Sequence, residues 1–117
     1  MKDSEHLSDG TKLIEFQEVV ESSEQIIAYG VNCVNPEWVT KILEQLSLNA
    51  KKPLVVYPNS GEEYNPITKE WTHSKDTERL FLIEAKKWHE LGAKFIGGCC
   101  CTTCKEIELL RSTFFNI

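Results

Sequence analysis

The sequence predicts an α/β fold in which parallel strands alternate with helices. Three observations carry this. Short apolar runs fall at 26–33, 54–59 and 94–98. Stretches with helical periodicity, long enough for βαβ crossovers, separate them. The carboxyl end of each run carries Cys33, Asn59 or the pair Cys99-Cys100, and chemistry in parallel α/β sheets collects at the carboxyl ends of the strands.

The elements follow in order. Residues 1–10 are polar and read as a loop, with Asp9 or Thr11 placed to cap the next helix. Leu13, Phe16 and Val20 recur at i, i+3 and i+7, an amphipathic helix over 11–22 that Ser22-Ser23-Glu24 breaks. Residues 26–33 form the first strand, nearly continuously apolar as in a strand buried on both faces. Asn35 and Pro36 supply a capping side chain and a proline at the first helical position. Val39, Ile42, Leu43 and Leu46 form one apolar stripe on that helix. Pro53 opens the second strand, 54–59, and Pro58 should end its pairing. Residues 60–75 read as a long loop, and loops of that length are more often functional than idle. Its Tyr64 and Trp71 either cover a site or pin the loop to the body. Ser74 or Asp76 should cap a third helix whose buried side is Leu80, Phe81, Ala85, Trp88 and Leu91, with Gly92 as its stop. A third strand spans 94–98. Thr103 and Glu106 are spaced as a capping box for the last helix, which turns Ile107, Leu110 and Phe114 inward.

Composition narrows the function. The 117 residues suffice for one small domain. A formal net charge of -5 gives no reason to expect a nucleic-acid partner, which favours clustered basic residues. No apolar run approaches the roughly 20 residues that span a membrane, and the polar N-terminus lacks a secretory apolar core. A reducing, cytoplasmic setting is therefore expected. There, clustered cysteines more often bind metal or catalyse than form disulfides.

Four of the five cysteines fall within eight residues, Gly97-Gly98-Cys99-Cys100-Cys101-Thr102-Thr103-Cys104, and the fifth is Cys33. Neighbouring side chains on a strand point to opposite faces, so Cys99 and Cys100 can share one ion only if the strand stops before them. Gly97-Gly98 is expected to supply the backbone freedom for that turn. The helix that follows adds a positive dipole end that favours thiolate. Cys33, Cys99 and Cys100 are thus read as three thiolates at one Zn2+, with a fourth place left for substrate. A thiol bound there would lose its proton yet stay nucleophilic, which suits alkyl transfer to sulfur. Two other readings stay open. Cysteine packs readily as a small hydrophobe. Cys101-Thr102-Thr103-Cys104 is also a C-x-x-C at a helix start, the arrangement of thiol redox proteins. His6, His73 and His89 read as solvated rather than as ligands, and Glu62-Glu63 as a solvated pair.

Gly30-Val31-Asn32-Cys33 and Ile96-Gly97-Gly98-Cys99-Cys100 resemble the two zinc-cysteine motifs of the homocysteine S-methyltransferase family. Tyr57-Pro58-Asn59-Ser60-Gly61, Trp71, and the opening Lys2-Asp3 with His6-Leu7 and Gly10 are similar to that family's pattern too. The resemblance covers nearly the whole chain. It implies a zinc-containing (β/α)8 TIM barrel that transfers methyl from S-methylmethionine or S-adenosylmethionine to homocysteine, forming methionine. It also implies that Cys33, Cys99 and Cys100 are the zinc ligands, and that Asn32, Tyr57 and Asn59 lie near the substrates. The family usually has arginine where this chain has Cys101 and proline where it has Cys104.

A barrel of this kind takes about 250 residues, and three strands are legible here. The resemblance therefore implies the C-terminal part of the barrel, a single truncated homocysteine-binding domain over 1–117. An arc of three strands cannot close. Its inner side chains are expected to face water unless a partner chain or self-association completes the barrel. The alternatives to a methyltransferase are a zinc-holding fragment without turnover and a redox protein using Cys101 and Cys104.

Overall fold

A computed structural model describes all residues except 62, 63, 72–74, 116 and 117, and leaves aside the side chains at 64, 65, 70, 71, 75 and 76. Glu62, Glu63, His73 and Ser74 lie outside the described residues, as do the side chains of Tyr64, Trp71 and Asp76.

The order is α1 (Leu13–Ser22), β1 (Tyr29–Asn32), α2 (Pro36–Leu46), β2 (Leu54–Tyr57), β3 (Tyr64–Asn65), β4 (Glu70–Trp71), α3 (Lys75–Glu90), β5 (Ala93–Ile96) and α4 (Cys104–Phe115). The main sheet runs β1-β2-β5 and is parallel throughout. The expected α/β arc of three parallel strands and four helices is what forms. α2 links β1 to β2 and α3 links β2 to β5, and α1 meets α2, α2 meets α3 and α3 meets α4, so the helices form one layer. Leu54 and Val56 point into that helix layer and are buried, together with Val39, Ile42, Leu43, Leu46, Phe81, Ala85 and Trp88. Among the described residues, the opposite, concave face is less covered. Tyr57 and Phe95 remain 45% and 51% exposed there.

Proline sets the strand lengths. β1 was expected from residue 26, but pairing begins at Tyr29, whose N–H donates to the Pro53 carbonyl at 3.3 Å. Pro53 has no N–H to return, so the ladder extends no further in that direction. Pro58 ends β2 in the same way. The close approach of β1 to β2 depends on Gly30, where a Cβ would fall 1.6 Å from the Val55 carbonyl oxygen.

The helices start as their caps dictate. Asn35 Oδ1 accepts from the Glu37 N–H at 2.9 Å, with Pro36 at the first helical position. Thr103 Oγ1 accepts from the Lys105 N–H, and Glu106 returns to the Thr103 N–H at 2.7 Å, completing the box. α1 differs from expectation. Neither Asp9 nor Thr11 caps it. Asp9 accepts from the Thr11 N–H in a local turn, and the first helical N–H, that of Leu13, is met by the Glu5 carbonyl at 2.8 Å. Gly92 ends α3 at φ 108°, the left-handed stop that glycine favours.

Two apolar positions are corrected. Leu80 is exposed, because Phe81, Ala85 and Trp88 define the buried stripe of α3 and Leu80 sits a helical step aside. Ile107 is also exposed, beside a groove of about 320 Å³ between β5 and α4 that Ile96, Leu110 and Phe114 help line. The long loop contains an antiparallel hairpin, β3 on β4, that the sequence pattern did not reveal.

Candidate metal centre

The strand ends bring the cysteines together. Cys33 follows β1 directly, in the left-handed region at φ 54°. For a residue with a Cβ this conformation costs about 1–2 kcal/mol, and such outliers gather at functional sites. The Cys33 N–H still donates to the Tyr57 carbonyl at 3.0 Å, so the residue turns while its amide stays on the sheet. β5 ends at Ile96, three residues before Cys99. Cys99 to Thr102 then form a turn, with the Thr102 N–H and hydroxyl both donating to the Cys99 carbonyl.

Gly97 and Gly98 serve this turn differently from the expectation. Neither adopts a positive φ. They provide room instead. A Cβ at residue 97 would lie 2.7 Å from the Tyr57 ring, and one at residue 98 would lie 2.2 Å from Thr102 Oγ1. The left-handed residue in this segment is Cys101, at φ 64°.

The sulfurs of Cys33, Cys99 and Cys100 all lie within 4.8 Å of one another. Among the described residues this is the one such gathering of cysteine, histidine or acidic side chains. Cys33 and Cys99 are joined as a disulfide with Cα atoms 5.5 Å apart. The sequence did not point to this pairing, and the C-x-x-C pair Cys101 and Cys104 is not the one that is bonded. Tetrahedral zinc at a Zn–S distance of about 2.3 Å would set its sulfurs roughly 3.8 Å apart, so the spacing fits the donor set once the bond is reduced to two thiols. The positive end of α4 begins at Cys104, close by in sequence.

The segment after β2 ties both cysteine loops together. The Cys99 N–H donates to the Pro58 carbonyl at 2.8 Å, and the Ser60 N–H to the Cys100 carbonyl at 3.1 Å. The Cys100 N–H donates to Asn59 Oδ1 at 3.2 Å, and the Asn59 N–H to the Val34 carbonyl at 2.9 Å. Asn32 Nδ2 lies 3.9 Å from the Cys33 sulfur. Tyr57 pairs with Asn32 across the sheet, at the carboxyl end of the concave face. Pro58 and Ser60 act here through backbone contacts and Thr102 through its N–H and hydroxyl, and only the Tyr57-Pro58-Asn59-Ser60-Gly61 resemblance hinted at any of them.

His6 and His89 stand away from the cluster. His6 Nδ1 meets Asp3 at 2.9 Å, and the His89 ring packs 5.2 Å from Phe114. The Glu5 amide, and then His6, hold the Asp3 carboxyl below the usual carboxylate range.

A parallel arc backed by one helix layer, with cysteines gathered at the strands' carboxyl ends, is a segment of an α/β barrel enzyme fold. Comparison with known proteins narrows the class. The homocysteine S-methyltransferase family profile matches residues 1–114, and the chain belongs to that family. It is 41% identical over 107 residues to the homocysteine S-methyltransferase YbgG of Bacillus subtilis, covering 92% of this chain and 34% of that one. The Escherichia coli homocysteine S-methyltransferase is 40% identical over 112 residues, covering 96% and 36%. The crystal structure of Escherichia coli MmuM in an oxidized form superposes with a TM-score of 0.78 at 36% identity, covering 97% of this chain and 34% of that one. A metallated form of the same enzyme superposes at 0.77 and 35% identity, covering 97% and 33%. The chain thus spans about a third of the length of these relatives.

Proposed function

We propose that residues 1–117 form the zinc-holding, C-terminal part of a homocysteine-binding domain that makes methionine. The observation that carries this reading is the meeting of three cysteine sulfurs within 4.8 Å in a chain of this family. The reaction passes a methyl group from the sulfonium of S-methylmethionine or S-adenosylmethionine to the sulfur of homocysteine. One carbon–sulfur bond forms as another breaks, the donor leaves as a neutral thioether, and the thiol proton goes to solvent.

Cys33, Cys99 and Cys100 would hold Zn2+ as thiolates. When bound, the ion lowers the pKa of a homocysteine thiol, and electron donation from three thiolates keeps that sulfur nucleophilic. The remaining work falls to positioning. Asn32 and Tyr57, paired at the carboxyl end of the concave face, would meet the substrates beside the cysteines. Thiolate ligands suit a reducing cytoplasm.

The exposure of Tyr57 and Phe95 favours a second element in this reading. The concave face is completed by further strands, from a partner chain or a second copy, and this chain alone holds metal without turnover.

Metal analysis of the full chain under reductant tests the proposal. Serine at 33, 99 or 100 should abolish stoichiometric zinc, whereas serine at 101 or 104 should leave it intact. Methionine formation from homocysteine and S-methylmethionine then separates an active chain from one that only holds metal. Zinc retained after all three ligand substitutions would refute the assignment.

A further inference from the structure

Asn59 sits where a strand-end residue of a barrel would reach the substrate, yet its side-chain oxygen is engaged elsewhere. It accepts the N–H of Cys100 at 3.2 Å, across 41 residues of sequence. We infer that Asn59 is a positioning residue that sets the Cys100 thiol for metal, rather than a substrate contact. This rests on the proposed zinc site.

The reason lies in how differently the three cysteines are held. Cys33 and Cys99 are fixed by main-chain bonds to β2 and its extension, through the Tyr57 and Pro58 carbonyls. Cys100 is further from any strand. It is exposed, and the next residue, Cys101, turns away in the left-handed region. Two bonds keep Cys100 beside the other two sulfurs. One is main-chain, from the Ser60 N–H to its carbonyl. The other is the Asn59 side chain on its N–H. Asn59 is itself pinned, because its own N–H donates to the Val34 carbonyl next to Cys33. One residue therefore bridges the loop that carries Cys33 and the loop that carries Cys100. The extended segment 58–60 alone does not fix the direction of Cys100; the side-chain acceptor adds that constraint. Such outer contacts typically change metal affinity about 10–100-fold when removed.

The test compares Asn59→Leu and Asn59→Asp in the full chain under reductant. Leucine removes the acceptor, and aspartate keeps an oxygen in the same place. The readouts are zinc affinity by chelator competition and the thiolate-to-cobalt charge-transfer band of the cobalt-substituted protein, which scales with the number of bound thiolates. Asn59→Leu should bind metal at least about 10-fold more weakly and show the reduced band of Cys100→Ser. Asn59→Asp should match the parent in both. The Cys33–Cys99 disulfide should form equally fast on oxidation in all three, since those two residues are held through other carbonyls. A parent-like band and affinity in Asn59→Leu would overturn the inference. So would an Asn59→Asp protein that loses the third thiolate, or an Asn59→Leu protein that also loses the disulfide, since either result makes the residue merely structural. A parent chain that binds no metal would instead count against the proposed zinc site.

Discussion

Gly30 offers a sharp test of how the cysteine cluster is built. In Gly30→Ala the new methyl would lie 1.6 Å from the Val55 carbonyl oxygen and 2.6 Å from its carbon. These are backbone atoms, so no rotamer change relieves the contact. Reaching 3.0 Å, below which Cβ contacts essentially never occur, requires β1 to shift by about 1.4 Å. Parallel ladder bonds lie within about 2.7–3.2 Å, so a shift of that size breaks them. Among the described residues β1 is an edge strand paired to β2 alone, with no second neighbour to hold it in place. Overpacking of this kind costs about 1–3 kcal/mol, occasionally more. In a domain of this size, about 3 kcal/mol lowers Tm by on the order of 10 °C. The same shift carries Cys33 away from Cys99 and Cys100, and a Zn–S bond of about 2.3 Å does not stretch to follow it. Zinc affinity should therefore fall together with Tm. Circular-dichroism melts and chelator competition on one preparation read both. A Gly30→Ala chain that melts within about 2 °C of the parent and keeps its zinc affinity would refute the close approach of β1 to β2.

Two further outcomes are expected. Asn35→Ala removes the α2 cap, in which Oδ1 accepts the Glu37 N–H, and should cost about 1 kcal/mol in urea titrations, with Asn35→Asp near neutral. Tyr29 is pushed up to about 12, first by burial and then by Glu21 beside its hydroxyl, against a lowering bond from Gln17. Because the folded value is raised, its stabilisation is complete below the unfolded tyrosine value of about 10 and is lost as pH rises through about 12. Tyr29→Phe should show less of that alkaline loss in urea midpoints measured across the same range, and an identical loss would sink the assignment.

Much of the fold was legible because local rules and tertiary demands agree. Asn35-Pro36, Thr103 with Glu106, and Gly92 each satisfy a helix end in the way their side chains suggest. The three strands and their parallel order were legible from the alternation with helices. What the sequence did not reveal depends on partners distant in the chain. β1 starts late because Pro53, 24 residues on, offers no donor to residues before Tyr29. The exposure of Ile107 follows from the open edge of β5, which no helical periodicity records. Gly97 and Gly98 looked like hinges, but their reason is the bulk of Tyr57 and Thr102 against them. The likeness of the cysteine motifs pointed to three cooperating sulfurs. It did not reveal that Cys33 and Cys99 pair as a disulfide, because they lie 66 residues apart in the sequence.

The contacts divide the proposed function into two separable parts. Among the described residues, main-chain and side-chain bonds orient the three cysteines: Cys33 on Tyr57, Cys99 on Pro58, and Cys100 on Asn59 and Ser60. β2 and its extension lie between the two cysteine loops and link them, so on the proposed reading metal holding rests on these strands. Methyl transfer needs more. Two substrates must be held in line, and the gain from such positioning depends on a closed, ordered surround. Here the concave face leaves Tyr57 and Phe95 about half exposed, and the chain spans about a third of its relatives. On the proposed reading, zinc stoichiometry is therefore a property of residues 1–117 by themselves, whereas turnover is a property of whatever covers that face.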